Sequence, residues 1–210
     1  MPLITKKAQI AAKVESVEGT AETLTATEAI LAGGWEFDPE IEMQERPAVS
    51  ASLSSFAKVA GGRKVKISFK TELKGSGAAG TAPEVSALLQ ACGLSETISA
   101  GVSVAYAPAS SSIPSITIGA YCDGKRYLAA GCRGNVKLDA KAGGLGELSF
   151  EFTGTAMADS DTALLSPTYD STTPPPFLDA SLALDSVAAD IESLSIDLGN
   201  EVQLRPSANA

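Results

Sequence analysis

Histidine is absent from the 210 residues. Its absence removes the commonest general base and the usual partner of a nucleophilic serine or cysteine. A zinc site also loses its ordinary nitrogen ligands. Aromatic residues are scarce at 5%, which leaves little to build a base-stacking platform or a sugar-binding cleft. The three cysteines, Cys92, Cys122 and Cys132, contain no C-x-x-C pair. A tight turn at Asp123-Gly124 pairs Cys122 with Lys125 and sends Cys132 toward Ser115, so these two sulfurs are expected to stay apart as reduced structural thiols. No apolar run is long enough to cross a bilayer. The start, Met1 to Lys7, carries charge with no apolar stretch behind it, so neither a secretory leader nor membrane insertion is expected. Basic charge is the last shortage. The net charge is −9 and the pI about 4.6, and such a surface repels phosphate backbones.

What remains is alternation. Trp35, Phe37, Pro39, Ile41 and Met43 interleave with Glu36, Asp38, Glu40, Glu42 and Gln44, the period of a strand with one apolar and one acidic face. Pro39 cannot donate to a ladder, which predicts an edge, a break or a bulge there. Val65, Ile67, Phe69, Thr71 and Leu73 alternate in turn with Lys64, Lys66, Ser68, Lys70 and Glu72. This basic face can neutralise the acidic one across a hairpin or across a subunit boundary. Between the two strands lies a small-residue polar stretch, about 47–62, read as a long loop. A helix is expected after Ala82-Pro83-Glu84, stopped by Gly93, with Val85, Leu88, Leu89 and Cys92 inward. Further strands follow: a hairpin over Ile113–Arg133 around Asp123-Gly124, a second pair over Asn135–Lys141 and Gly146–Thr153, and two or three strands from Leu178 to Leu204. The Ser/Thr/Pro-rich segment about 157–176 reads as an exposed loop. The fold class is mainly β, a β-sandwich or open barrel with one flanking α-helix and long loops, in a single domain over 1–210.

Candidate chemistry is thin. Glu36, Asp38, Glu40 and Glu42 form the richest acidic cluster, but alternation strings them along one strand face instead of opposing two across a cleft. A salt-bridged strand face outweighs a carboxylate-dependent glycoside hydrolase. Gly75-Ser76-Gly77-Ala78-Ala79-Gly80 has the G-x-G-x-x-G form, yet no strand-helix-strand repeat surrounds it, so it reads as a flexible loop. Asp159, Asp161 and Asp170 match no calcium-loop spacing. No catalytic residue, metal site or cofactor is expected.

Three segments carry a resemblance. Val14-Glu15-Ser16-Val17-Glu18-Gly19-Thr20 resembles an E-x-x-x-G-T opening, Arg63 to Gly77 followed by the helical segment resembles a middle portion, and Ser193 to Val202 resembles the closing strands, of the major tail tube proteins of long-tailed bacteriophages. The resemblance implies a structural virion protein made in the host cytoplasm. It implies six copies per ring, hairpins joined into a barrel around a channel, and stacked rings that conduct DNA without specific binding. It implies a tape measure protein and a tail terminator as partners. On this reading Glu36, Asp38, Glu40, Glu42, Lys64 and Lys66 are lumen-facing or inter-subunit charges. Arg46, Ser52, Phe56, Lys58 and Arg63 belong to an arm that reaches the next ring. Acid along the wall would hold phosphates off within a Debye length, ~8 Å in physiological salt. The alternatives are another ring protein of the virion, a tail terminator or distal tail protein, and, from a different class, the glycoside hydrolase.

Overall fold

A computed structural model describes residues 4, 6–47, 56–180, 182–184 and 187–205. The strands are β1 (Ala8–Val14), β2 (Ala29–Ile30), β3 (Gly33–Gln44), β4 (Val59–Glu72), β5 (Leu94–Ser99), β6 (Ser103–Pro108), β7 (Ile116–Cys122), β8 (Lys125–Lys141), β9 (Glu147–Ala156), β10 (Ser160–Asp161), β11 (Leu182–Leu184), β12 (Val187–Ala189) and β13 (Ser193–Asp197). Among the described residues one short α-helix, α1 (Ser86–Ala91), lies between β4 and β5, and a single 3-10 turn, Ala26–Glu28, precedes β2. The main sheet is antiparallel in the order β2-β1-β7-β8-β9-β4-β3, with β10 and β13 also pairing β8. It is a mainly β fold with one helix, and the sheet stays open instead of closing into a barrel.

Side-chain parity explains the core. Val65, Ile67 and Phe69 of β4 and Leu148, Phe150 and Phe152 of β9 turn to one face and are almost fully buried. The three phenylalanine rings lie with centroids 5.6–5.9 Å apart, within the range of favourable aromatic packing. Helix α1 adds Leu88, Ala91 and the neighbouring Cys92 to the same core. The helix starts later than its sequence pattern predicts, because Glu84 and Val85 form a turn, while the expected stop at Gly93 holds and the chain re-enters a strand at Leu94. Phe37 on β3 and Tyr127 on β8 have ring centroids 5.5 Å apart, although β9 and β4 lie between their strands. Flat strands spaced about 4.8 Å apart would hold them well beyond that, so the sheet curls around its core.

Strand β8 is the spine. The sequence reads as two strands, 126–133 and 135–141, but one strand of 17 residues runs through both. Its ladders to β7 and to β9 both shift register around Gly131, whose φ is 65°. A bulge there inverts parity. Tyr127 and Ala129 before it, and Cys132, Val136 and Leu138 after it, therefore serve one continuous core. The shift also sets Cys132 opposite Ile116, one residue from the expected Ser115, while Cys122 faces Lys125 as the turn predicts. That turn has φ of 46° at Asp123 and 93° at Gly124, the two positive values a tight hairpin turn requires.

One end of the sheet is covered on both faces. All seven residues of β7 are buried, and a second cluster of Ala11, Leu24, Tyr121 and Leu128 packs beneath Met157, Leu164 and Leu165. The segment expected as exposed loop over 157–176 is thus partly a cover, fastened by β10 to the start of β8.

Candidate assembly surface

Strands β3, β4, β9, the second half of β8, and β13 present the other face of the sheet, and it is polar throughout. The registers align Glu36 with Ser68 and Glu151, then Asn135; Asp38 with Lys66 and Thr153, then Arg133; and Lys70 with Ser149, Lys137 and Asp197. Period-two alternation makes this unavoidable: strands with one face in the core must send every other side chain to water.

The charges do not cancel in simple opposite pairs. Lys66 is in register with Asp38, yet its Nζ lies 3.1 Å from Glu40 Oε1, and Lys64 Nζ lies 3.9 Å from Glu40 Oε2. Both lysines converge on Glu40. The hydrogen bond and charge of Lys66, assisted by Lys64, hold that carboxyl below its ordinary range. Glu36, Asp38 and Glu42 form no ion pair among the described residues. Farther along the face, Lys70 pairs with Glu147 at 2.6 Å and Lys137 with Asp139 at 2.9 Å. The Ser195 hydroxyl donates to Asp139 Oδ1 at 2.7 Å, and it leads, ahead of Lys137, in lowering that carboxyl.

Strand β3 ends the sheet, with Pro39 on it. Trp35 and Phe37 pack on the core, but Ile41 and Met43, on the same face, are 49% and 52% exposed. The hairpin therefore runs past the core that supports its root. Beyond Arg63 the ladder continues through Gly61-Gly62, set opposite the single residue Glu42, to Val59. The connection expected over 47–62 is accordingly shorter, spanning 45–58, because the last four residues are strand. Its neck is tied by Lys58 Nζ to Glu45 Oε1 at 2.7 Å and by the Arg46 guanidinium 5.4 Å from the centroid of Phe56. Arg63 sits opposite Ile41 within the ladder, and Ser52 lies outside the described residues.

Residues that composition did not single out hold the scaffold together. Glu15 is buried, and its carboxylate accepts four hydrogen bonds: from Gly19 N at 2.8 Å, Ser115 Oγ at 2.6 Å, Thr117 Oγ1 at 2.9 Å and Gly131 N at 2.7 Å. The spacing E-x-x-x-G thus has a physical reason, since the glycine four residues on returns its N–H to the acid. Above it Glu18 grips Arg133 through two bonds, at 2.7 and 3.1 Å. At the other end Asn200 Nδ2 donates to Cys92 O at 2.6 Å, binding the closing segment to the end of the helix. Among the described residues, no three acidic or cysteine side chains converge to hold a metal. Asp159 pairs with Lys125, and Asp170 accepts from Thr172.

An extended polar sheet face, an open edge at β3 and a projecting hairpin are the surfaces this fold offers to other molecules. Residues 5–210 match the family model described as phage tail tube protein, and the chain belongs to that family. It is a structural, non-enzymatic component of the virion tail. No curated protein matches it. No helix among the described residues is long and apolar enough to cross a membrane.

Proposed function

We propose that this chain is the repeating subunit of the tail tube, that six copies form each ring, and that the polar face of β3, β4, β9 and β8 lines the channel through which DNA leaves. The observation that carries the reading is the one-sided sheet: a face of alternating charge and hydroxyl runs across several long strands while the opposite face is closed by the core. Such a sheet suits a wall with water on one side. The free edge at β3 and the projecting tip with Ile41 and Met43 suit contacts between sister copies, and the 45–58 connection suits contact between rings. Glu36, Asp38 and Glu42, left without cationic partners among the described residues, would keep the wall repulsive to phosphate. On this reading a tape measure protein and a tail terminator set the length, and the protein is made in the host cytoplasm.

Electron microscopy of concentrated protein tests the polymer. Long hollow tubes are expected, whereas assembly that stops at one ring would favour a tail terminator or distal tail protein. Particles carrying Glu36→Lys and Asp38→Lys test the lining. Retarded DNA ejection, more marked at low salt, is expected; ejection at the wild-type rate would remove these residues from the channel.

A further inference from the structure

Strand β8 outruns its neighbour. Its ladder with β7 ends at Cys132, and farther along the same edge β13 pairs Lys137 to Lys141. The polar half of the sheet is therefore five strands, β13-β8-β9-β4-β3, with a free edge at each end among the described residues. Every ladder in it is antiparallel, so β13 and β3 run the same way. Copies related by rotation about an axis along the strands would join these two edges as a parallel pair, out of keeping with the rest of the sheet. With β13 removed, β8 of one copy faces β3 of the next, and the junction is antiparallel like its neighbours.

We infer that β13 is a detachable cover, holding in the single chain the place that β3 of a second copy takes in the ring. This rests on the ring reading and adds to it a step, the departure of β13, that each copy takes on joining. Strand β13 imitates β3. Leu194 and Ile196 lie against Ala140 and Leu138 on the core side, and Ser193, Ser195 and Asp197 lie on the polar side. Strand β3 divides in the same way, with Ile41 and Met43 on one side and its acids on the other. The cover is lightly held. It pairs over five residues, Ile196 and Leu198 are 48% and 36% exposed, and its fastenings are exposed too: Ser195 Oγ to Asp139 and Asn135 Nδ2 to Asp197, each 2.7 Å. Short, poorly buried elements of this kind open first. In the ring, Ile41 and Met43 lie over the apolar side chains of β8 that β13 now covers. Lys137 and Lys141 on the receiving edge meet the acidic row of β3, so the join sets unlike charges side by side. Pro39 withholds one donor and leaves the residues on either side able to pair. A chain that covers its own edge is also kept from pairing prematurely.

A disulfide across the β13–β8 ladder tests the exchange, because Cys92, Cys122 and Cys132 are buried and leave a quiet background. Asp139 and Ser195 are partners in register, so an Asp139→Cys, Ser195→Cys protein can be oxidised to fasten the cover. The oxidised chain is expected to melt no lower than the reduced one and to grow no tubes, with growth returning on reduction. Ser195→Ala supplies a second arm. It removes one fastening, leaves the β8 edge and the net charge as they are, and should lower the concentration threshold for tube growth about two- to tenfold, the worth of one hydrogen bond. Oxidised protein that grows tubes at the threshold of its reduced form, or a Ser195→Ala threshold that stays or rises, would overturn the cover alone. Wild-type protein that never forms tubes would instead overturn the ring reading beneath it.

Discussion

Glu15 illustrates how much one side chain can organise. Its carboxylate joins the end of β1, the Gly19 turn, two hydroxyls at the start of β7 and the bulge at Gly131. Glu15→Ala would strand buried donors, each worth about 1–3 kcal/mol. We expect about 2–4 kcal/mol lost in urea denaturation, with Glu15→Gln losing less. The acids of the wet face are individually weaker. Glu40, Asp139 and Asp197 are all held below their ordinary values of 4.5 for Glu and 3.8 for Asp: Glu40 by Lys66, Asp139 chiefly by the Ser195 hydroxyl, Asp197 chiefly by the Asn135 amide. A lowered folded-state pKa contributes stability that is complete above the unfolded value and vanishes as pH falls through the folded one. The melting temperature should therefore hold down to about pH 5 and decline below about pH 4. Because these groups are exposed, the decline should be shallow, and its part due to the Lys66–Glu40 pair should shrink in 1 M salt.

Among the elements, β3, β9 and β4 from Arg63 onward were legible because side chains alternate along them, and the Asp123-Gly124 turn because both residues tolerate positive φ. Strand β8 was not. The sequence reads as two strands divided at Gly134, whereas the irregularity lies at Gly131, inside the stretch read as unbroken strand, and is a bulge that carries the same core forward. Strand β5 was hidden behind the helix stop, and the cover formed by Met157, Leu164 and Leu165 was hidden in a polar stretch whose leucines have no period. The candidate site was half legible. Its acids and lysines could be placed on one face, but the convergence of Lys64 and Lys66 on Glu40 depends on side-chain reach across the ladder, which no pattern encodes. The bulge gives this scale its prediction. Gly131→Ala, forced to hold φ of 65°, should cost about 1–2 kcal/mol. Measured by hydrogen exchange, the loss should spread along β8 into β13, whose pairing with β8 begins beyond the kink.

For the whole molecule the dominant quantity is the net charge of −9. Copies of one sign repel as they gather, and salt relieves this because the Debye length falls from about 30 Å at 0.01 M to about 8 Å at 0.15 M. Sedimentation should show assembly favoured by that change. Yields that fall with salt would mean that complementary charge, and not apolar contact, holds the copies together.

Burial is also uneven from end to end. Around β7 the sheet is clamped between two cores, whereas the tip of β3 and β4 carries half-exposed apolar side chains, Ile41, Met43 and Val59. Mechanically this is a cantilever: a root that cannot bend and a free arm whose deflection grows with distance from the clamp. On the proposed assembly, a subunit made this way would meet a neighbour whose position varies slightly, taking up the misfit at the arm while its anchorage stays unmoved.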